Sequence, residues 1–158
     1  MPDDVATRLR VLRDLRILDT PPEPALDDLV RTAAAVFKAP ISLLTLLDEK
    51  RQWFKASFGF PIRETPIGCS FCAHVALGDT PMVVEDAQLD ARFVDNPLVT
   101  GEPHIRFYAG APLFSSRGVT IGALCVIDTD ARHVVAETEL AVITKLARLA
   151  IFEIESKH

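Results

Sequence analysis

The sequence is poor in basic charge, in cysteine and in long apolar runs, and each shortage excludes something. Seventeen Lys and Arg residues stand against 22 Asp and Glu, a formal net charge of -5. Nucleic acid and anionic membrane surfaces both call for a basic footprint, so neither is expected as a partner. No basic run occurs beyond the spaced arginines of the first predicted helix. No apolar stretch approaches the roughly 20 residues that cross a bilayer. The longest candidate, residues 41–47, is interrupted by Ser42 and Thr45. Met1-Pro2-Asp3-Asp4 is acidic where a secretory signal is basic and then apolar. Three cysteines, an odd number, do not make a disulfide framework. The cytoplasm is the expected compartment. Internal repeats, low-complexity segments and a phosphate-binding glycine loop are all missing.

What is present fits one domain of 158 residues with an ordinary core, 49% hydrophobic and 25% charged. Apolar stripes predict a first helix over 3–18, capped by Asp3 or Asp4. Asp19-Thr20-Pro21-Pro22 breaks it, because proline cannot continue a helix. This divides the chain into an N-terminal helix (1–19), for dimerisation or linkage, and a main domain (20–158). A second helix is expected from Pro22 or Glu23 to Phe37. Strands are expected over 41–48 and 51–58, the second as a half-polar edge strand. Residues 59–68 read as a loop, 70–77 as a short helix and 82–85 as a strand. Residues 86–103 read as a long loop with one helical turn near Leu89–Phe93, and such a loop is usually functional. A hairpin spans 105–127. The last helix, 136–155, carries two apolar stripes. One is Leu140, Ile143, Ala147, Ala150 and Ile154; the other is Val142, Leu146, Leu149 and Phe152. One stripe serves the core and the second asks for another partner, so a homodimer through the terminal helices is expected.

The hairpin bears most on function. Period-2 alternation puts Ile105, Phe107, Ala109, Ala111 and Leu113 on one strand face and Arg106, Tyr108 and Gly110 on the other. The first face is small and apolar, suited to helices. The second would line a pocket for a compact, partly aromatic or anionic small molecule. Its expected lining is Phe71, Cys72, His74, Arg106 and Tyr108, with Arg106 as charged anchor and Gly110 leaving room for entry. The polar residues Arg92, Arg106, His104, Asp86 and Asp90 read either as an anion clamp or, the favoured reading, as internal ties. In the latter, Asp90 caps a turn and Arg106 holds the long loop to the sheet. Cys69-Ser70-Phe71-Cys72 is a C-x-x-C at a helix start, a place where thiol pKa values fall. Cys69, Cys72 and Cys125 are thus redox candidates, but the favoured reading is structural cysteine, with Cys125, mid-strand in an apolar run, as inert core. Zinc through Cys69, Cys72 and His74 lacks a fourth ligand, so no metal is expected.

Several segments together resemble a known family. They are Ile17-Leu-Asp-Thr-Pro-Pro-Glu23, Arg51-Gln-Trp-Phe54, Ser70-Phe-Cys-Ala-His74, Asn96-Pro-Leu-Val-Thr-Gly101, Ile105 to Leu113 and Gly122 to Asp128. In this order the chain is similar to the GAF domains of bacterial signalling proteins, in the subgroup found ahead of histidine kinase or diguanylate cyclase modules. The resemblance implies an α+β fold: a five- or six-stranded antiparallel sheet, with helices on one face and a ligand cap of short helix and loops on the other. It implies a small-molecule or redox-responsive input domain rather than an enzyme, with a kinase or cyclase as output partner and no cofactor named. Neither output module is present, so the chain either stands alone or is a fragment. Two alternatives remain open. One is a thiol redox enzyme of the free methionine sulfoxide reductase type, using Cys69, Cys72 and Cys125. The other is a ligand-free dimerisation module whose pocket is filled by Phe71, Trp53 and Phe107. In bilin-binding members a cysteine and a histidine are adjacent, whereas here Ala73 separates Cys72 from His74. The Asn-Lys-x₅-Phe-x₃-Asp-Glu motif of cyclic-nucleotide members is absent.

Overall fold

The computed structural model describes residues 5–76, 78, 80–132 and 135–158, with Cys69 lacking a described side chain. Asp3, Asp4 and Leu77 lie outside these residues. Helix α1 (Val5–Leu15) buries Val11 and Leu12. It is tied down by Arg8, whose Nε donates to the Leu47 carbonyl at 2.9 Å. Helix α2 (Pro24–Phe37) starts on a proline, whose missing N–H costs nothing in a first turn, and ends with Lys38 in the left-handed region. Its inward face is Leu26, Val30, Ala33 and Phe37. Helix α5 (Glu137–Lys157) begins where the Glu139 carboxylate accepts from the Ala136 N–H at 2.9 Å. Ile143, Ala147, Ala150 and Ile154 form its buried stripe.

The strands are β1 (Ile41–Leu47), β2 (Arg51–Phe58), β3 (Glu64–Pro66), β4 (Met82–Val84), β5 (Phe107–Phe114) and β6 (Thr120–Asp128). All pairings are antiparallel, in the order β3-β2-β1-β6-β5-β4. Strands β1 and β6 lie at the centre, and both are buried along nearly their whole length because both sheet faces are covered. The back face carries Leu44, Leu46, Phe107, Ala109, Ala111, Leu124 and Val126 against α1, α2 and α5. The front face carries Leu43, Leu47, Tyr108, Ala123, Cys125 and Ile127. Its cover consists of α3 (Phe71–Val75), the long loop 85–106 and a one-turn helix α4 (Pro97–Thr100).

Three local expectations change. Strand β2 is not the edge: residues 64–66, read as loop, pair with its first half, so the two edges are the three-residue β3 and β4. Short edges limit the unpaired backbone offered to other chains. The alternation along β2 also breaks. The register steps from Leu44↔Ala56 to Thr45↔Phe54, so Lys55 is an extra, bulged residue. Beyond the bulge Ala56 joins Trp53 in the back cluster instead of following Phe54 to the front. Finally, β5 begins at Phe107, and Ile105 packs in the front cluster with Tyr108, not behind with Phe107. The Ile105 N–H donates to the Leu98 carbonyl, so that residue belongs to the loop and not to the strand's alternation.

Candidate functional site

The front of the sheet is assembled from short pieces. Ser70 caps α3 by accepting the Ala73 N–H at 2.9 Å. Five helical residues then point Phe71, Cys72 and Val75 inward and leave His74 exposed. Phe71 stacks on Phe93 with ring centroids 4.0 Å apart, and its ring also meets Tyr108 at 5.1 Å. Cys72 Sγ lies 3.0 Å from the Tyr108 hydroxyl. Gly110 has a definite use here. A Cβ on it would sit 2.4 Å from the Tyr108 hydroxyl, so the missing side chain makes room for the tyrosine ring itself. The expectation that Gly110 opens a path for ligand is corrected: Tyr108 fills that space.

Cys125 stands directly across from Gly110 in the β5–β6 ladder. Its thiol therefore faces the same spot, and Cys72, Tyr108 and Cys125 meet there. The neighbouring Cys125 thiol, aided by the Tyr108 hydroxyl, holds the Cys72 thiol below its ordinary pKa against the burial that opposes it. The same interaction with Cys72, reinforced by burial, pushes Cys125 well up. Burial, with the two neighbouring sulfurs, also pushes the Tyr108 phenol well up. The C-x-x-C spacing singled out Cys69 with Cys72. The fold instead unites Cys72 with Cys125, and the Cys69 side chain lies outside the described residues.

These residues border a cavity of about 20 Å³ of space open to the centre of a water-sized molecule, room for about one water. Its walls are mostly apolar: Ile41, Leu43, Phe54, Phe60, Phe71, Leu98, Pro103, Ile105 and Ile127. One side is polar. Ser70 Oγ donates to Gln52 Oε1 at 2.7 Å, and Gln52 Nε2 donates to Thr65 Oγ1 at 2.5 Å. This chain links the start of α3 to β2 and β3. On the same sheet face, Thr45 Oγ1 is buried without a hydrogen bond.

Of the expected lining, Phe71, Cys72 and Tyr108 border the cavity, while His74 and Arg106 do not. Arg106 Nη1 donates to the Val99 and Ile105 carbonyls, both at 3.0 Å, and so ties the loop to the start of β5. With Nη1 turned to backbone and no part of it bordering the cavity, it ties the loop instead of anchoring a ligand there. His74 packs edge-on against Phe93 at 4.8 Å on the outer side. Partial burial, with Arg92 nearby, lowers its pKa. Asp90 pairs with Arg92 at 2.7 Å, and Asp86 caps a turn by accepting the Gln88 N–H. The anion clamp is thus not assembled, and the internal ties are what the fold contains. Trp53 and Phe107 lie in the back cluster and fill none of the front cavity. Gln52, Thr65 and Phe60 were missed. An uncharged amide amid the apolar residues of β2 was the available signal for Gln52; nothing local marks the others. Among the described residues, no group of three or more His, Cys, Asp or Glu side chains is placed to hold a metal ion.

A family model for the GAF domain matches residues 21–154. The chain belongs to the GAF domain family. It is thereby a domain of the signalling, sensory type. The structure is similar to the GAF domain of a phosphoenolpyruvate-protein phosphotransferase from Coxiella burnetii, with TM-score 0.70 and 21% identity over 98% of this chain and 96% of that one. It is also similar to a far-red cyanobacteriochrome photoreceptor, with TM-score 0.69 and 14% identity over 97% of this chain and 98% of that one. At these identities the likeness establishes the GAF fold. In sequence the chain is 43% identical, over 98% of its length, to a cyclic di-GMP phosphodiesterase of Pseudomonas aeruginosa, and it spans 26% of that protein. This runs against the expectation of an input domain rather than an enzyme, since nearly all of the chain matches part of a protein named as one. No described helix is long and apolar enough to cross a membrane.

Proposed function

We propose that this chain is the sensory input module of a larger bacterial signalling protein and that the front cavity is its sensing site. The observation that carries the reading is the cavity itself, held under a cap of short elements and bordered by the hydrogen-bonded chain Ser70–Gln52–Thr65. A ligand there would be small and mainly apolar, with one hydrogen-bonding group facing Tyr108 or Gln52. Because the enclosed space admits about one water, anything larger enters by displacing Phe60, Leu98 and Pro103. The name of the relative supports an output acting on cyclic di-GMP in place of the expected kinase or cyclase. Exposed Leu149 and Phe152 support a homodimer through the terminal helices, and the cytoplasm remains the proposed compartment.

Native mass spectrometry of freshly purified protein tests the sensing site. A small-molecule adduct on the wild type that is lost in Phe60→Ala, whose lid is opened, is the expected result. No adduct, together with failure to bind a small aromatic probe such as indole, would sink the reading.

A further inference from the structure

We infer that Cys72 and Cys125 form a reversible disulfide switch inside the front cavity, closed by hydrogen peroxide and reopened by a thiol reductant. As regulation of the same cavity, its signalling consequence rests on the sensing reading above; the chemistry does not.

Four observations converge. Both thiols border one cavity, and both are reduced and buried. They come from separate elements, α3 and β6, so a bond between them would staple the cap to the centre of the sheet. The Tyr108 hydroxyl, 3.0 Å from Cys72 Sγ, is placed to donate to a thiolate there. The cavity's free space holds about one water, so hydrogen peroxide, with one more oxygen, needs only a small movement of the cap, whereas a bulky hydroperoxide needs a large one.

The steps balance with peroxide as the oxidant. Cys72 thiolate attacks one peroxide oxygen; the S–O bond forms, the O–O bond breaks, and the departing hydroxide takes the proton Cys72 released, giving water. Cys125 sulfur then attacks the sulfenic Cys72 Sγ. The S–S bond forms, the S–O bond breaks, and the departing hydroxide takes the Cys125 proton as a second water. Two thiols lose two electrons and one peroxide becomes two waters. The ladder stops at the disulfide because the resolving thiol borders the same small cavity as the attacking one.

The test treats the reduced 158-residue chain with hydrogen peroxide, blocks remaining thiols and maps the peptides by mass spectrometry. The expected result is a peptide linking Cys72 to Cys125, a mass loss of two hydrogens, and reversal by dithiothreitol. Cys69→Ser should behave as the wild type. Cumene hydroperoxide should give no link under conditions where hydrogen peroxide completes it. In Cys125→Ser, Cys72 should accumulate as a sulfenic acid trapped by dimedone; should that variant fail to fold, the wild type and Cys69→Ser decide alone. A Cys69–Cys72 link, a link between chains, or over-oxidised Cys72 with no link would overturn the switch. The two readings separate cleanly. A Cys72–Cys125 link that leaves hydrogen exchange in β3, α3 and the end of α5 unchanged upholds the disulfide and removes the cavity's sensory role. Indole binding without any link does the reverse.

Discussion

The two faces of the sheet differ in how they are covered. Behind it lie long helices, 14 residues in α2 and 21 in α5, packed on aliphatic and alanine side chains. In front lie helices of five and four residues joined by loop, packed on aromatic rings, two thiols, a phenol and an amide. A long amphipathic helix buries one continuous stripe and supplies its own backbone hydrogen bonds. The front pieces depend on side-chain ties instead: Ser70 to Gln52, Arg106 to Val99, Asn96 to Leu98. Stability should therefore reside behind the sheet and adaptability in front, since weakly tied segments open at lower free energy than the core.

Unequal responses to core truncation would sharpen this contrast most. Phe107 is wholly buried behind the sheet, with Phe37 on one side and the Arg132 guanidinium 4.9 Å above its ring. Phe107→Ala should cost about 3–5 kcal/mol in denaturant unfolding. Phe93→Ala, in the front cap, should cost less, about 2 kcal/mol, because the loop can settle into the gap. Equal costs would mean that the two faces unfold as one unit.

Gly110→Ala probes the front from inside the sheet. The new methyl meets the Tyr108 ring, with contacts of 2.4 and 2.8 Å, and that ring is held by Phe71 and Cys72. A loss of about 1–3 kcal/mol is expected, with faster alkylation of Cys72 as the ring moves away. An unchanged alkylation rate would show that Tyr108 does not shield the thiol.

Acid should act where β2 is clamped to the helices behind the sheet. Lys55, fully buried at its bulge, bonds Thr20 Oγ1 at 2.7 Å, the Pro21 carbonyl at 2.5 Å and Glu23 Oε2 at 2.8 Å. His158, at the end of α5, reaches the same Glu23 oxygen at 2.8 Å. Burial alone would raise the Glu23 pKa, but hydrogen bonds from Lys55 and His158 outweigh it and hold the carboxyl below its ordinary value. The Arg51 hydrogen bond lowers Asp19 likewise. Groups with depressed folded-state pKa values stabilise above their unfolded values, about 4, and lose that contribution as pH falls through the folded values. The thermal midpoint should thus fall below about pH 4. Glu23→Gln should start lower at neutral pH and lose less on acidification. An identical acid profile in that variant would remove the clamp from the account.

The smallest effect is expected on the outward side of α5. Leu149 is 55% exposed and Phe152 70% exposed, so changing both to Lys should alter the stability of one chain by no more than about 0.5 kcal/mol. Sedimentation should nevertheless shift from dimer to monomer. A wild-type protein that is monomeric at micromolar concentration would break the proposed pairing.

Much of the back face was legible in the sequence because its signals are local. The α2 stripe Leu26–Phe37, the α5 stripe Ile143–Ile154 and the apolar run of β6 each follow the period of their own element. The second α5 stripe was legible only in part: Leu146 is buried, whereas Leu149 and Phe152 face outward. The front site was less legible. Phe71, Cys72 and Tyr108 were found because each lies inward within a regular element. Arg106 was misplaced because alternation was extended to Ile105 and Arg106, two residues before the strand begins.

By itself, then, the sequence determined the long helices and most of the strands, since hydrophobic period and proline or glycine breaks act over a few residues, and its resemblance to the GAF domains implied the α+β class and the antiparallel sheet. Only the tertiary structure decided that Cys72 and Cys125 share a cavity, that Gly110 makes space for Tyr108 and that Arg106 Nη1 bonds the Val99 carbonyl. The first of these joins segments far apart in the chain, and the other two turn on how side chains settle once strand and loop are in place. They depend on the β5–β6 register and on the path of the loop from 85 to 106, which no local pattern of residue types encodes.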